Sequence, residues 1–422
     1  MKVLWIVNTV LGPLSQKMYG KQSSGAWMDA LLSDFVGKDE YSVVVATTAK
    51  VPQRITVKDR NITYYALPDE PPILYDENKE SNILAWRQLL EEEKPDLIQV
   101  WGTEFTHGLC ALRQAGDIPS VIYMQGYLGS IARHYLAGLS HEEIRRTITV
   151  RDILKRDSIE QQRTKYFRST EKEKEMLRLA GRMICENDWC ESSISAVVPD
   201  IKTYRCPLSI NSVFGSYTWD IGKVEKHSII CTASGYPLKG LHMMLRAVAL
   251  LKTRYPDIKL YLPGTKMISD GSLQWTLRKR GYTKYIENLV RELDISEQIV
   301  WLGRISQEQL AEQYSKTHVF VLSSSIENHS SSLKEAMMVG VPCVASAVGG
   351  VPEYVSHGEN GFLYRFEEYE IMAGYVSRIF ENNELAGKLS NHGKSSMKPL
   401  HSGKTIFNRI TEIYQKISDE DR

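Results

Sequence analysis

The chain has 422 residues, 42% of them hydrophobic, with 52 Lys and Arg against 51 Asp and Glu. That length exceeds what one core normally serves and predicts two domains of about 200 residues each. The near-zero net charge speaks against a nucleic-acid binder, which carries a large basic excess, and the composition is that of a soluble globular protein.

The N-terminal MKVLWIVNTV holds an apolar run too short for a signal-peptide core, and it reads as a first strand. No run of about 18 apolar residues occurs, so no span of a membrane is expected. Short apolar runs then alternate with amphipathic stretches, the pattern of a parallel sheet wrapped by helices. In the first half the predicted strands are 3–8, 42–48, 62–67, 97–102 and 121–126. A charged helical stretch follows, and from Arg133 to Arg182 it carries 13 Lys and Arg against 8 Asp and Glu. It reads as a solvated face of the first domain, or as a surface that docks near an anionic lipid or acceptor.

Residues 200–214 read as a connector. The pattern restarts with strands at 228–234, 258–264, 298–303, 318–324 and 342–348. The expected domains are 1–208 and 209–404. A C-terminal amphipathic helix over about 405–422, with Ile406, Ile410, Ile413 and Tyr414 on one face, is free to pack back on the first. In such folds ligands bind at the C-terminal ends of the strands, and a cleft between two such halves is the default site. The six cysteines include no Cys-x-x-Cys pair and the histidines are scattered. Buried reduced thiols fit this better than a zinc site.

No Gly-x-Gly-x-x-Gly follows a strand, which removes the usual dinucleotide fingerprint. SGKT at 402–405 lacks P-loop spacing, with Lys398 where a glycine is required. CTASGYPLKG is more telling, because it puts Lys239 where a helix begins. A helix N-terminus disfavours a cation unless an anion sits there, so Lys239 reads as a turn lysine or as a phosphate partner. Gly349-Gly350 before Pro352 forms a second glycine loop, and Gly25 in QSSGAW opens the first helix.

In SIENHSSSLKEAMMVGVPCVAS, Glu327 and Glu335 have seven residues between them. Ser332 and Glu335 fit a capping box, and Gly340 and Pro342 close the helix. That accounts for Glu335 and leaves Glu327 and the polar run Asn328 to Ser332. A carboxylate pair at this place can also hold hydroxyl-rich groups, with the loop's backbone N–H groups facing an anion. Spacing alone leaves both readings open.

The same segment resembles the retaining nucleotide-sugar glycosyltransferases of family 4. Glu327, Glu335, Ala336-Met337 and Gly340-Val341-Pro342-Cys343-Val344-Ala345 carry the likeness, which VGGVPEYV, HGENGFLY, LKG and WLGRISQEQLAEQYSKTHVFVLSSS extend. It covers about 228–365 specifically, and the first half only in strand order and glycine loop. The resemblance implies an α/β GT-B fold, two Rossmann-like α/β/α domains facing each other across a deep cleft. It implies transfer with retention from a nucleoside diphosphate sugar, first of all a UDP-sugar, to a hydroxyl of a glycan, lipid-linked or polysaccharide acceptor. No metal or other cofactor is expected, no nucleic acid is a partner, and the expected place is the cytoplasm with peripheral contact at the inner membrane face.

Carried onto this sequence, the resemblance implies that Glu335 holds the ribose hydroxyls and Glu327 the donor sugar at the reacting side. Lys239 would bind the diphosphate, and Ser330, Ser331 and Ser332 would lie along sugar and phosphates. Gly303, Arg304 and Ile305 would meet the base, and Gly25 would approach the diphosphate from the first domain. Two positions depart from the pattern. Ser234 stands where the family has a second diphosphate cation, so either Arg304, Lys266 or Arg280 substitutes or the helix termini carry more of the load. Gln125 stands where a histidine is usual, and a glutamine binds hydroxyls but is no base. These departures keep one alternative in view, a nucleotide-sugar-binding partner without turnover, and the shared fold leaves a second, another enzyme class such as a sugar-nucleotide epimerase.

Overall fold

Alternate residues of the first strand face opposite layers. Val3, Trp5 and Val7 pack into one buried cluster, Leu4 and Ile6 into another, as a strand covered by helices on both faces requires. The computed structural model describes residues 1–20, 26–208, 210–233, 235–269, 271–401 and 403–420. The chain divides into two compact units. The first comprises Met1–Leu128, Arg168–Ser209 and Ser402–Arg422, the second Gly129–Phe167 and Ile210–His401.

The first unit is built on β1 (Lys2–Ile6), β2 (Ser42–Ala49), β3 (Ile55–Asp59), β4 (Ile62–Pro68), β5 (Leu97–Trp101), β6 (Ser120–Tyr123), β7 (Arg182–Cys185) and β8 (Lys202–Arg205). The sheet order is β3-β4-β2-β1-β5-β6-β7-β8. Among the described strands of this sheet only β3 runs antiparallel, in a hairpin with β4. The helix Gly403–Glu420 belongs to this unit. Its Ile406, Ile410, Ile413 and Tyr414 are buried in the cluster that holds Trp5 and Phe35. The Trp5 indole N–H donates to the Tyr414 hydroxyl at 3.0 Å, and that hydroxyl also donates to Gln99.

The second unit is built on β9 (Glu225–Ile230), β10 (Lys259–Pro263), β11 (Ile299–Gly303), β12 (Thr317–Leu322), β13 (Cys343–Ser346) and β14 (Phe362–Tyr364), in the order β11-β10-β9-β12-β13-β14. All described pairings in it are parallel.

The division differs from a single cut near residue 208. Residues 129–167, expected on the first domain, belong to the second unit, because Tyr135, Ala137, Leu139, Ile144 and Ile159 enter its core. The His242 imidazole lies 2.9 Å from the Ala137 carbonyl, and burial lowers its pKa to about 4. The expected connector also carries a strand, β8. All six cysteines are buried and free.

Candidate active site

In the second sheet the strand order reverses between β9 and β12. The loops leaving these two strands diverge there, and such a switch point is where open α/β sheets bind ligands. Lys239 ends the 3-10 turn Pro237–Lys239 on the β9 side, and Glu327 follows β12.

Two glycines fix these loops. Gly240 has φ 65, and a Cβ on it would lie 1.7 Å from the Ser323 carbonyl oxygen. The Ser323 hydroxyl donates to the Lys239 carbonyl at 2.8 Å, and the Ser325 N–H to the Leu238 carbonyl at 2.7 Å. Gly349 has φ 53, and its Cβ would lie 1.8 Å from the Glu327 carbonyl oxygen. The Gly350 N–H donates to that carbonyl at 3.1 Å. The glycine loop read from the sequence is thus a brace behind Glu327.

The Lys239 ammonium donates to Glu327 Oε1 at 2.6 Å, and the Ser324 hydroxyl donates to the same oxygen at 2.6 Å. The Glu327 side chain is 9% exposed and that of Lys239 31%. Burial on its own would lower the Lys239 pKa. The Glu327 carboxylate outweighs it, so the ammonium is held above its usual range.

Glu335 sits in the helix Ser331–Val339, outside any capping box. Ser330 rather than Ser332 is the N-cap, its hydroxyl accepting the Leu333 N–H at 3.3 Å. The Ser332 hydroxyl instead accepts from Thr232 at 2.9 Å. Gly340 closes the helix in the left-handed conformation. Among the described residues none donates a hydrogen bond to the Glu335 carboxylate or ion-pairs with it. Burial raises its pKa to about 7, against the pull of Lys334.

The other predicted residues are placed as follows. Gly303 ends β11 with φ 70, Arg304 is exposed and Ile305 half-buried, two strands out from β9. Gln125 is half-buried just beyond β6 in the first unit. Gly25 and Ser234 lie outside the described residues. Of the substitute cations, Lys266 and Arg280 line one cavity of about 380 Å³ with Trp275 and Thr283. A second cavity, of about 330 Å³, is lined by Arg133, His134, Ser325, Val348 and Arg365.

The structure adds a pair that sequence reasoning missed. The first sheet reverses between β1 and β5. There the Asn8 amide donates to Glu104 Oε2 at 3.2 Å, and burial raises the Glu104 pKa. Gly102, with φ 87, makes room for that carboxyl, since a Cβ on it would lie 2.1 Å from Oε2. The signal lay in IVNT and WGTE, a polar residue just past each of two apolar runs, but only strand order makes them neighbours.

Two doubly wound parallel-sheet units, the second with a lysine–carboxylate pair at its switch point, define a protein of the GT-B fold. Residues 218–396, most of the second unit, match the family glycosyl transferases group 1. N-acetyl-alpha-D-glucosaminyl L-malate synthase of Bacillus anthracis is 28% identical over 204 residues, 48% of this chain and 49% of that protein. The chain spans about half the length of the curated relatives it matches. Among solved structures, sucrose-phosphate synthase from Thermosynechococcus elongatus aligns with a TM-score of 0.72 at 18% identity, covering 99% of both chains. Anabaena HepE in complex with UDP-glucose aligns with a TM-score of 0.65 at 16% identity, covering 99% of this chain and 100% of that one. At these identities the two structures speak to the fold alone.

Proposed function

We propose that the protein transfers a glycosyl group, with retention, from a nucleoside diphosphate sugar to an acceptor hydroxyl. The observation that carries this reading is the Lys239–Glu327 pair at the switch point of the second unit, supported by the Glu335 carboxyl, which has no hydrogen-bond or ion-pair partner among the described residues.

In this scheme the bond between the anomeric carbon and the β-phosphate oxygen breaks, and negative charge builds on the diphosphate. Lys239 exchanges Glu327 for that diphosphate. The N–H groups of Ser331 and Ser332, at a helix start whose Leu333 N–H is already capped, add their dipoles. Glu327, released from the ammonium, accepts hydrogen bonds from the donor sugar hydroxyls. Glu335 accepts from the ribose diol, a role open to a carboxylate with free acceptor capacity. Gly303 to Ile305 meet the base. The acceptor oxygen bonds to the anomeric carbon on the face the diphosphate leaves, and its proton passes to the leaving phosphate. No strong protein base is then required, and Gln125 and the Asn8–Glu104 pair serve as hydroxyl contacts for a glycan or lipid-linked acceptor. Charge is met by Lys239 and backbone dipoles, so the scheme calls for no metal ion.

The test is nucleoside diphosphate release from a panel of nucleotide sugars without added metal, read beside thermal stabilisation. One donor should respond, a UDP-sugar first, and the response should vanish in Glu335→Ala and Lys239→Ala. Stabilisation by a donor without release, with or without acceptors, would make the protein a binder instead of an enzyme.

A further inference from the structure

The helix Val150–Lys155 is amphipathic the wrong way round for a soluble surface. Its Asp152 is 1% exposed, while Val150 is 68%, Ile153 67% and Leu154 77% exposed. The polar side is turned inward by real bonds. Thr149 and Asp152 form a capping box, Asp152 also pairs with Arg151, and the Thr149 hydroxyl donates to the Lys279 carbonyl at 2.9 Å. Gly281 leaves space for this contact, since a Cβ on it would lie 2.9 Å from the Asp152 carboxylate. Lys284 ties down the preceding turn through the Arg146 carbonyl at 3.0 Å. The helix Leu273–Arg278 packs alongside and adds Leu277, 60% exposed. Fixed aliphatics that face solvent side by side mark a docking surface.

Among the described residues, the charge left unpaired around this ridge is basic. Arg145, Lys155, Arg156 and Arg278 are exposed and have no acidic partner among the described residues. The nearby acids are engaged: Glu142 by Arg146, Asp157 by Arg151 and Lys165, Glu143 by Tyr285, Glu287 by Lys279. The basic cavity lined by Arg278, Lys279 and Arg280 opens on the same helix as Leu277. A second copy of this surface would meet it cation to cation. Among the described residues no helix is long and apolar enough to cross a membrane.

We infer that this ridge seats the second unit on an anionic lipid bilayer, with Val150, Ile153, Leu154 and Leu277 in the headgroup–acyl boundary and the surrounding arginines and lysines on lipid phosphates. The inference does not depend on the transfer reaction.

Vesicle flotation of the full chain tests it, with phosphatidylcholine alone and with a third of the lipid replaced by phosphatidylglycerol. The protein should float with the anionic vesicles only, and less so as salt rises. Ile153→Ser with Leu154→Ser should abolish flotation. Lys155→Glu with Arg156→Glu should weaken it by about fivefold or more per charge reversed. Ile371→Ser, an exposed aliphatic elsewhere on the unit, should change nothing. Every substituted side chain is exposed, so unchanged thermal unfolding should accompany each variant. The inference fails if anionic vesicles do not float the protein, if neutral ones float it equally, or if the double serine variant floats like the parent. It also fails if light scattering finds a dimer that the double serine variant splits, since a second copy would then cover the ridge.

Discussion

Replacing Lys239 by Met separates two things its ion pair does. The ammonium balances Glu327, which is 9% exposed and, among the described residues, keeps the Ser324 hydroxyl as its remaining side-chain partner. Removing one partner of a fully buried pair costs about 3–5 kcal/mol. Lys239 is 31% exposed, so solvent screens part of that, leaving a loss of about 1–3 kcal/mol. In the proposed reaction the ammonium also meets the charge on the leaving diphosphate. Losing one preorganised donor of this kind costs about 10²–10³ in kcat. Adding Glu327→Gln removes the stranded charge and should restore stability in urea unfolding without restoring turnover. If activity returns with stability in the double variant, turnover needs neither the ammonium nor the carboxylate, and the roles given to Lys239 and Glu327 both fall.

Further outcomes follow from single contacts. Gly240→Ala should destabilise the chain by about 2–4 kcal/mol or prevent folding, because its Cβ would strike the Ser323 carbonyl. Gly20→Ala, at φ 65 with open space around it, should cost only about 1–2 kcal/mol in the same denaturant titration. Glu335 has its pKa raised to about 7, so its ionisation opposes folding once pH passes the unfolded value. Glu335→Gln should therefore match the parent at pH 4 and exceed it at pH 8 by ~1–3 kcal/mol, while weakening donor binding. Tyr414→Phe should cost about 1–2 kcal/mol, since it strands the Trp5 indole N–H and Gln99 in the core of the first unit.

The strands that the sequence disclosed are those with unbroken apolar runs, such as β2 and β12, buried on both faces. Those it hid are short or lie near a sheet edge. The edge strand β8 reads KTYR, and β3 alternates half-buried and exposed residues in ITVKD. Neither gives a signal that outweighs its charges. The helices of 129–167 were legible as helices, but nothing local says which core receives Tyr135 and Ile144. That choice is made by the facing surface of His242, Tyr285 and Lys279, more than a hundred residues away. At the site the two glutamates stood out because their spacing is local. Their environments did not: three successive serines offer three N-caps, and the chain uses the first, so Glu335 is not drawn into a capping box. The contact of Lys239 with Glu327 spans 88 residues and follows only from strand order.

The two switch points show how one sheet plan yields different chemistry. In each unit a polar residue beyond the first strand meets a carboxyl beyond the strand next to it across the reversal. In the second unit the partner is an ammonium at 2.6 Å, and the carboxylate is kept as an acceptor. In the first unit the partner is the neutral Asn8 amide at 3.2 Å, and burial pushes the Glu104 pKa upward. A carboxyl group has more than one hydrogen-bonding oxygen, so Glu104 can contact an acceptor hydroxyl while the Asn8 amide holds Oε2. Glu104→Gln keeps both an acceptor and a donor, whereas Glu104→Ala keeps neither. If Glu104 binds the acceptor, the Gln variant should retain most turnover and the Ala variant should raise the acceptor KM about tenfold or more, with the donor KM unchanged in both. A fall in kcat for both variants at unchanged acceptor KM would show Glu104 acting as a proton donor or acceptor, and the acceptor would then be held elsewhere.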